Sequence, residues 1–134
     1  MKSISKLKKE LDKWFSLYIR LRDSNEYGMV QCFTSGRVYH YKKIHAGHFM
    51  SRKHLSTRWC ETNVQPQSAA DNLFAQGQQY RFGLNLDAKY GDGTAEQLQS
   101  KSRLTIKFAR IEIEEKITYY KSLVNKLKEQ KQIE

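Results

Sequence analysis

Apolar residues recur at steps of three and four along the first part of the chain. They are Ile4, Leu7, Leu11, Trp14 or Phe15, Tyr18 and Leu21. Because this spacing places them on one face of a helix, the pattern predicts an amphipathic helix from about Ser3 to Arg22. The next residues, Asp23-Ser24-Asn25, have short polar side chains that compete for backbone hydrogen bonds, so the helix is expected to end there.

A second apolar stripe lies near the other end of the chain. It repeats by four, three, four and three residues and consists of Ile113, Ile117, Tyr120, Val124 and Leu127. This period predicts a long amphipathic helix from about Ala109 to Lys131. The stripe can pack on the N-terminal helix, which is the favoured interpretation, or it can pair two copies of the chain as a homodimer.

The segment from Met29 to Tyr41 has the composition of β-strands. It is rich in Val, Tyr, Phe and Cys and is interrupted by Thr34-Ser35-Gly36, which predicts a hairpin of two short strands. Residues 42–66 are polar, and we predict that they are irregular. Pro66, the only proline, is predicted to mark the entry to a short helix from about Ser68 to Gln76.

A further helix is predicted after the loop Tyr90-Gly91-Asp92-Gly93. The following residues, Thr94-Ala95-Glu96-Gln97, have the sequence form of a capping box, in which Thr94 and Gln97 would bond to each other's backbone N–H groups. At 134 residues the chain has the size of one domain. We predict an α+β domain with an N-terminal helix over 1–25, a core over 28–77 and a helical part over 78–134.

The charge distribution indicates a polyanionic partner. The net charge is +10, and residues 1–70 carry 13 Lys and Arg against 5 Asp and Glu. Nucleic acid is the commonest partner of such a protein, and an anionic membrane surface is the alternative. The chain has neither an apolar run of roughly 18 residues nor a signal peptide, and its two cysteines are too few for a disulfide framework. We therefore expect a soluble, cytoplasmic protein with free thiols.

Three polar residues have a spacing that favours phosphodiester hydrolysis. His48, Asn63 and Asn72 would lie at a strand end, in a loop and on a short helix, from which they can converge. A neutral imidazole can take a proton from water, so His48 is the candidate general base. Asn63 can hold the imidazole ring or fix the loop backbone. Asn72 can offer its carbonyl oxygen to a divalent cation, with His45 or Asp71 as a second ligand.

Basic residues are concentrated in the segment that follows His48. This segment is either a solvated loop or a clamp on a nucleic-acid backbone, which would give affinity and salt dependence without reading sequence. We favour the clamp because Trp59 and Tyr39 could stack on bases. Its residues are Arg52, Lys53, His54 and Arg58.

Several short motifs occur along the chain in a distinctive order. They are Ser16-Leu-Tyr-Ile-Arg-Leu-Arg-Asp23, Cys32-Phe-Thr-Ser35-Gly, Ala46-Gly-His-Phe-Met-Ser-Arg52, Thr57-Arg-Trp, Asn63-Val-Gln-Pro-Gln67, Asn72 and Gly77-Gln-Gln-Tyr80. In this order they resemble the phage recombination protein family NinG, also called Rap, from about Leu11 to Gly91.

This resemblance implies an HNH-like ββα core, made of a β-hairpin and a short helix and flanked by the N-terminal and C-terminal helices. It also implies an endonuclease that is specific for branched DNA, such as Holliday junctions or D-loops, and that acts in the host bacterium. His48 matches the family's active-site histidine, Asn63 its central asparagine and Asn72 its helix asparagine. A divalent cation, Mg²⁺ or Mn²⁺, is the expected cofactor.

The chain departs from the pattern of related sequences at two places. Those sequences carry two Cys-x-x-Cys pairs whose four thiolates bind structural zinc, but here Cys32 is accompanied by Ser35, Ser68 and Asp71. We therefore expect no structural zinc, and we expect hydrogen bonds and apolar packing to join the hairpin to the helix instead. Gly47 stands where many HNH enzymes have an acidic metal ligand. A DNA-binding module without cleavage and an RNA-binding accessory protein are the alternatives.

Overall fold

Two long helices, α1 (Ile4–Arg22) and α5 (Arg110–Lys131), pack along each other in the computed structural model, which describes residues 1–133. Both predicted apolar stripes face this contact. The resulting core cluster also takes in two residues from the middle of the chain; its members are Leu7, Leu11, Phe15, Ile19, Trp59, Val64, Ile113, Ile117 and Tyr120. The prediction that the α5 stripe packs on the N-terminal helix is confirmed, so this stripe is not an exposed dimer surface.

The end of α5 also contacts the end of α1. The Lys131 ammonium donates to the backbone oxygens of Leu21, at 2.7 Å, and Arg22, at 3.2 Å, and to that of Ser24. These carbonyls lie at the C-terminus of α1, where a helix has unpaired acceptors and attracts positive charge. Lys131 therefore joins the two helices by a polar contact beyond their apolar core.

The predicted hairpin is present. Strands β1 (Met29–Gln31) and β2 (Val38–His40) pair antiparallel, with Met29 opposite His40. Gly36 has a φ of +79° in the connecting turn, and its N–H donates to the carbonyl of Cys32 at 3.0 Å. Glycine suits this left-handed backbone because it lacks a Cβ.

A second antiparallel pair lies in the segment that was predicted to be irregular. Strand β3 (His45–His48) pairs with β4 (Val64–Gln67), and Ala46 stands opposite Pro66. The prediction for residues 42–66 was therefore wrong, and Pro66 lies within a strand instead of before a helix. His48 is carried by this pair, at the end of β3, and not by the β1–β2 hairpin.

Strand β4 was missed because its polar side chains are buried without alternation. Gln65 and Gln67 are both fully buried. The Gln65 amide donates to Tyr90 Oη at 3.0 Å, and the Gln67 amide donates to the carbonyl of Gly77 at 2.7 Å. Hydrogen bonds of this kind make the burial of a glutamine tolerable, but they leave no period of two in the sequence.

The other helices of the described residues are α2 (Leu55–Arg58), a π-helical turn (Ala70–Phe74), α3 (Gln79–Tyr90) and α4 (Thr94–Ser102). Two short 3₁₀ turns, Tyr41–Lys43 and Gln76–Gln78, accompany them. The π-helical turn takes the place of the short helix predicted from about Ser68 to Gln76. Helices α3 and α4 pack together through a small apolar cluster of Phe82, Leu86 and Leu98, in agreement with the helical C-terminal part that was predicted.

The capping box predicted for α4 is not formed. Gly93, with a φ of +94°, is the N-cap, and Thr94 is already the first helical residue. The Thr94 hydroxyl donates to the carbonyl of Gly91 at 2.7 Å and not to the helix. The helix starts one residue earlier than a capping threonine would require, so this prediction was wrong although the helix itself is present.

The architecture is α+β, as predicted. Two small antiparallel sheets lie between α1 and α3 in sequence, and β3 and β4 contact α1 directly. Among the described residues, no helix combines the length and apolar character needed to cross a membrane.

Candidate active-site cleft

An open cleft of about 680 Å³ lies between α1, β3 and the π-helical turn. Three of the predicted catalytic and metal-binding residues, His45, His48 and Asn72, line it together, as does Arg52 of the predicted clamp. Its other polar side chains come mainly from α1 and from the loops beside β3, and they are Asp12, Ser16, Arg20, Lys42, Ser51 and Arg52. The cleft has a net positive charge, because its lining contains three cationic side chains, Arg20, Lys42 and Arg52, and one carboxylate, Asp12.

The imidazole of His48 is oriented by a backbone carbonyl. Its Nε2 lies 3.0 Å from the carbonyl oxygen of Arg58. A carbonyl can only accept, so Nε2 carries the proton and Nδ1 keeps the lone pair. Burial lowers the pKa of His48 to about 4, and the positive charges of Arg52 and Arg58 act in the same direction, whereas the Arg58 hydrogen bond and Asp12 oppose it. His48 is therefore neutral at cellular pH, which is the form that can accept a proton.

The lowered pKa of His48 predicts how stability depends on pH. Its folded-state value of about 4 lies below the ordinary value of 6.5, so the unfolded chain binds the additional proton between these pH values. The free energy of unfolding is expected to fall by roughly 2 kcal/mol as the pH drops through this window, allowing for the partial exposure of the ring. Urea unfolding of wild type and His48→Gln at pH 4 to 7 would measure it. An equal slope in both proteins would contradict the assignment.

Asn72 and His45, which also line the cleft, contact each other. The Asn72 amide nitrogen lies 3.2 Å from His45 Nδ1, which brings the π-helical turn against the start of β3. When the amide donates, its Oδ1 and the His45 Nε2 have no hydrogen-bond partner within the described residues. One amide oxygen and one imidazole nitrogen suit a cation that takes its remaining ligands from water and a substrate phosphate. No three His, Cys, Asp or Glu side chains in residues 1–133 group as a complete metal site.

Asp71 points away from this pair. Its carboxylate accepts a 2.6 Å hydrogen bond from the hydroxyl of Thr34, in the hairpin turn. Because His45 and Asp71 were alternative second ligands, the structure favours His45 as the partner of Asn72. Asp71 instead joins the π-helical turn to the β1–β2 hairpin.

Asn63 fixes the loop that connects β3 to α2. It is fully buried; its Oδ1 accepts from the Met50 N–H at 2.8 Å, and its amide nitrogen donates to the carbonyls of Met50 and Thr57, both at 3.0 Å. Because these hydrogen bonds all join the Asn63 side chain to backbone groups, Asn63 does not line the cleft and does not bond to the His48 ring. Of the two roles considered for Asn63, the structure supports the fixing of the loop backbone, which makes it a positioning residue.

Asp12 is the site residue that sequence reasoning missed. Its carboxylate binds the Arg58 guanidinium at 2.6 and 3.2 Å and accepts from the Trp59 indole N–H at 3.0 Å. Since the Arg58 carbonyl orients His48, Asp12 indirectly supports that ring. The only sequence signal was an acidic residue in a lysine-rich helix, and nothing in the sequence connects it to residues 46 positions away.

The basic residues of this segment differ in how far they are used by contacts within the protein. Arg58 is committed to Asp12, and Trp59 is buried against Phe108, so Trp59 cannot stack on a base as the sequence suggested. The Arg52 side chain is 65% exposed at the cleft, and its guanidinium lies 3.9 Å from the Asp12 carboxylate, a longer ion pair than that of Arg58. Lys53 and His54 line a neighbouring groove together with Arg103. Contact with phosphate therefore stays a prediction chiefly for the three residues Arg52, Lys53 and His54.

A family model described as Bacteriophage Lambda NinG protein matches residues 1–131. The chain belongs to the NinG family. The match confirms the resemblance seen in the motifs, extends it through α5 and makes this a phage protein related to recombination. No curated protein and no solved structure matches the chain.

The first departure from the NinG pattern forms a hydrogen-bonded cluster. The Cys32 sulfur accepts from the backbone N–H groups of Ser35, at 3.4 Å, and Ser68, at 3.2 Å, and the Ser68 hydroxyl accepts from the Asp71 N–H at 3.2 Å. Burial opposes ionisation of the thiol, but hydrogen bonds from Ser35, Ser68 and Thr34 outweigh it and lower the pKa of Cys32 to about 7. The expected joining of hairpin and helix by hydrogen bonds is confirmed.

This cluster leads to a prediction about zinc. Purified protein is expected to contain no stoichiometric zinc by elemental analysis, because hydroxyls and one carboxylate replace three of the four thiolates. The variant Ser35→Cys/Ser68→Cys/Asp71→Cys restores four thiols at these converging positions and serves as the positive control. Zinc near one atom per chain in wild type would contradict the prediction.

The second departure, Gly47, has a steric reason. A Cβ added to Gly47 would lie 2.1 Å from Gln67 Oε1 and 2.9 Å from Gln67 Cβ. A side chain at this position would therefore displace a fully buried glutamine. In this NinG protein an acidic ligand cannot enter the site at position 47 without repacking of β4.

Proposed function

We propose that this NinG protein is an endonuclease that hydrolyses phosphodiester bonds in branched DNA with the help of a divalent cation. The observation that carries the proposal is the cleft in which His48 lies together with the His45–Asn72 pair, and within residues 1–133 the His48 Nδ1 has no hydrogen-bond partner. The positive charge of the cleft suits a polyanion. Two strands and a helical turn, β3, β4 and Ala70–Phe74, occur in the order of the proposed HNH-like ββα core.

In the proposed mechanism each group of the cleft has one task. His48 accepts a proton from the attacking water at Nδ1 while the Arg58 carbonyl holds Nε2–H. A Mg²⁺ or Mn²⁺ ion held by Asn72 and His45 would stabilise the charge that develops on the phosphate and the leaving oxygen. Arg52 binds the DNA backbone, and Asn63 keeps the loop after His48 in place.

Cleavage of a labelled four-way junction beside a linear duplex tests the proposal directly. Wild-type protein is expected to cut the junction in Mg²⁺ or Mn²⁺, to leave the duplex largely intact, and to lose activity in EDTA. Tight junction binding without cutting in either metal would mean that the protein is a DNA-binding module. Preferential binding of single-stranded RNA would favour the accessory-protein alternative.

Arg52→Ala is expected to weaken binding to junction and duplex alike, because a phosphate contact carries no sequence information. The slope of log affinity against log salt should decrease by about one. Fluorescence anisotropy titrations at several salt concentrations measure this slope. Arg37→Ala, which removes an exposed arginine in the hairpin turn outside the cleft, is the matched control. An unchanged slope for Arg52→Ala would remove Arg52 from the clamp.

A further inference from the structure

Two large apolar side chains are exposed at the edge of the cleft. Leu73 is 61% exposed and lines the cleft, and Phe74, the next residue, is 84% exposed. Both lie in the π-helical turn immediately after Asn72, the candidate metal ligand. Exposed apolar residues are ordinary when scattered, but an adjacent pair beside a polar site indicates a contact surface.

The turn that carries this pair is anchored on both sides. On the N-terminal side of the pair, Asp71 is bonded to Thr34 at 2.6 Å and Asn72 contacts His45 at 3.2 Å. On its C-terminal side, the carbonyl of Gly77 accepts from the buried Gln67 amide at 2.7 Å. The turn is thus tied to both sheets. Leu73 and Phe74 are held in place, although neither is buried.

The backbone after Phe74 reverses sharply. Gln76, Gly77 and Gln78 all have left-handed backbone conformations, with φ values of 53°, 76° and 49°. Such values are unfavourable for the two glutamines, so the surrounding contacts must maintain them. The reversal allows α3 to start close to the turn and leaves the Leu73–Phe74 pair projecting.

The charges around the pair identify its partner. The cleft presents the positive charges of Arg20, Lys42 and Arg52, which suit the phosphates of a polyanion, whereas an apolar pair at its edge suits an apolar surface on the same ligand. In DNA that surface is the face of a base. Linear duplex covers base faces by stacking, but an open branch point exposes the face of its last base pair. A second copy of this chain is a poorer partner because it carries the same net charge of +10.

We propose that Leu73 and Phe74 form an apolar wedge that stacks on the base pair exposed at a DNA branch point and so gives the cleft its preference for branched over linear DNA. Proteins use leucine and phenylalanine in this way at unstacked base steps, and aromatic side chains stack on bases of any sequence. This inference rests on the proposed function. It adds the residues that distinguish branched DNA from duplex.

The wedge is tested by binding, in EDTA so that no cutting occurs. The double variant Leu73→Ser/Phe74→Ser is expected to bind a four-way junction about tenfold more weakly, as expected for the loss of one stacked base, and to bind linear duplex within about twofold of wild type. Phe74→Trp should retain the preference. Tyr119→Ser, which removes an exposed aromatic on α5 outside the cleft, should change neither affinity.

A fluorescent base analogue at the branch point gives a second measurement. Its emission should change when wild type binds and should remain unchanged with the double variant. Full junction preference in the double variant, or an equal loss on junction and duplex, would overturn the wedge while leaving the proposed nuclease intact. Wild-type protein that binds both DNAs equally would overturn the branched-DNA specificity itself and the wedge with it. A wild-type dimer that dissociates in the double variant would assign the pair to self-association instead.

Discussion

Replacing His48 with alanine is expected to reduce junction cleavage by about a thousandfold while leaving junction affinity nearly unchanged. The variant removes the imidazole proposed to accept the proton, but it leaves the cationic side chains and the apolar core in place. Loss of the Nε2 hydrogen bond leaves only the Arg58 carbonyl without this partner. The variant should therefore lose cleavage activity and keep its affinity for the junction.

Single-turnover cleavage measures the effect of His48→Ala, with anisotropy for binding and thermal unfolding for stability. His40→Gln is the matched control, because His40 caps the turn after β2 and does not line the cleft. Added imidazole should partly restore cutting by His48→Ala and should not affect the control. Cleavage by His48→Ala at the wild-type rate would exclude His48 as the base.

Asn63→Ala is expected to lower the free energy of unfolding by about 3 kcal/mol. The side chain satisfies three backbone groups of Met50 and Thr57 at a position that water does not reach. Removing it leaves those groups unpaired in the protein interior, where the cost of each is largest. Cleavage should also fall, since the loop it fixes leads from His48 to Arg58, whose carbonyl holds the ring.

Urea unfolding gives the stability change, and Asn72→Ala is its matched control. Asn72 is only partly buried and makes one side-chain contact, so its replacement should reduce stability by less than about 1 kcal/mol but should still abolish metal-dependent cutting. Asn63→Asp, which keeps the shape but loses both amide donors, should be destabilised like Asn63→Ala. Equal stability losses in the Asn63→Ala and Asn72→Ala variants would contradict this division of roles.

The long helices could be predicted from sequence because their burial is one-sided. The stripes of α1 and α5 repeat at helical spacing, and each stripe meets the other in the core. The β1–β2 hairpin was predictable for a similar reason, since β-prone residues flank a turn with a glycine. In these elements the local pattern and the tertiary environment agree.

Strands β3 and β4 could not be predicted because their buried polar side chains bond to distant partners, and the Gln67 side-chain oxygen is buried without a hydrogen-bond partner among the described residues. Gln65 is bonded to Tyr90 and Gln67 to Gly77, contacts that no local pattern contains. Pro66 would normally argue against a paired strand. Here its carbonyl accepts from the N–H of Phe33 at 2.7 Å, so it still contributes a hydrogen bond between neighbouring segments.

The candidate site could be predicted only in part, because local patterns do not contain contacts between distant parts of the chain. His48 and Asn72 could be selected by residue type and spacing, and they do line one cleft. Asp12 could not, because its importance comes from an ion pair with Arg58 across the fold. Trp59 was assigned to stacking by composition alone, whereas its indole is used in the core and the exposed apolar pair is Leu73–Phe74.

The pairing of α1 with α5 has a consequence for the order of assembly during synthesis. Helix α1 supplies Asp12 and Arg20 to the cleft, and much of its apolar face is covered by α5. On the ribosome, residues 1 to about 110 would therefore contain every residue of the cleft, but the first helix would be only partly covered. Because so distant a contact closes late, the helix that forms one wall of the cleft should become stably positioned only after α5 has emerged from the ribosome and docked.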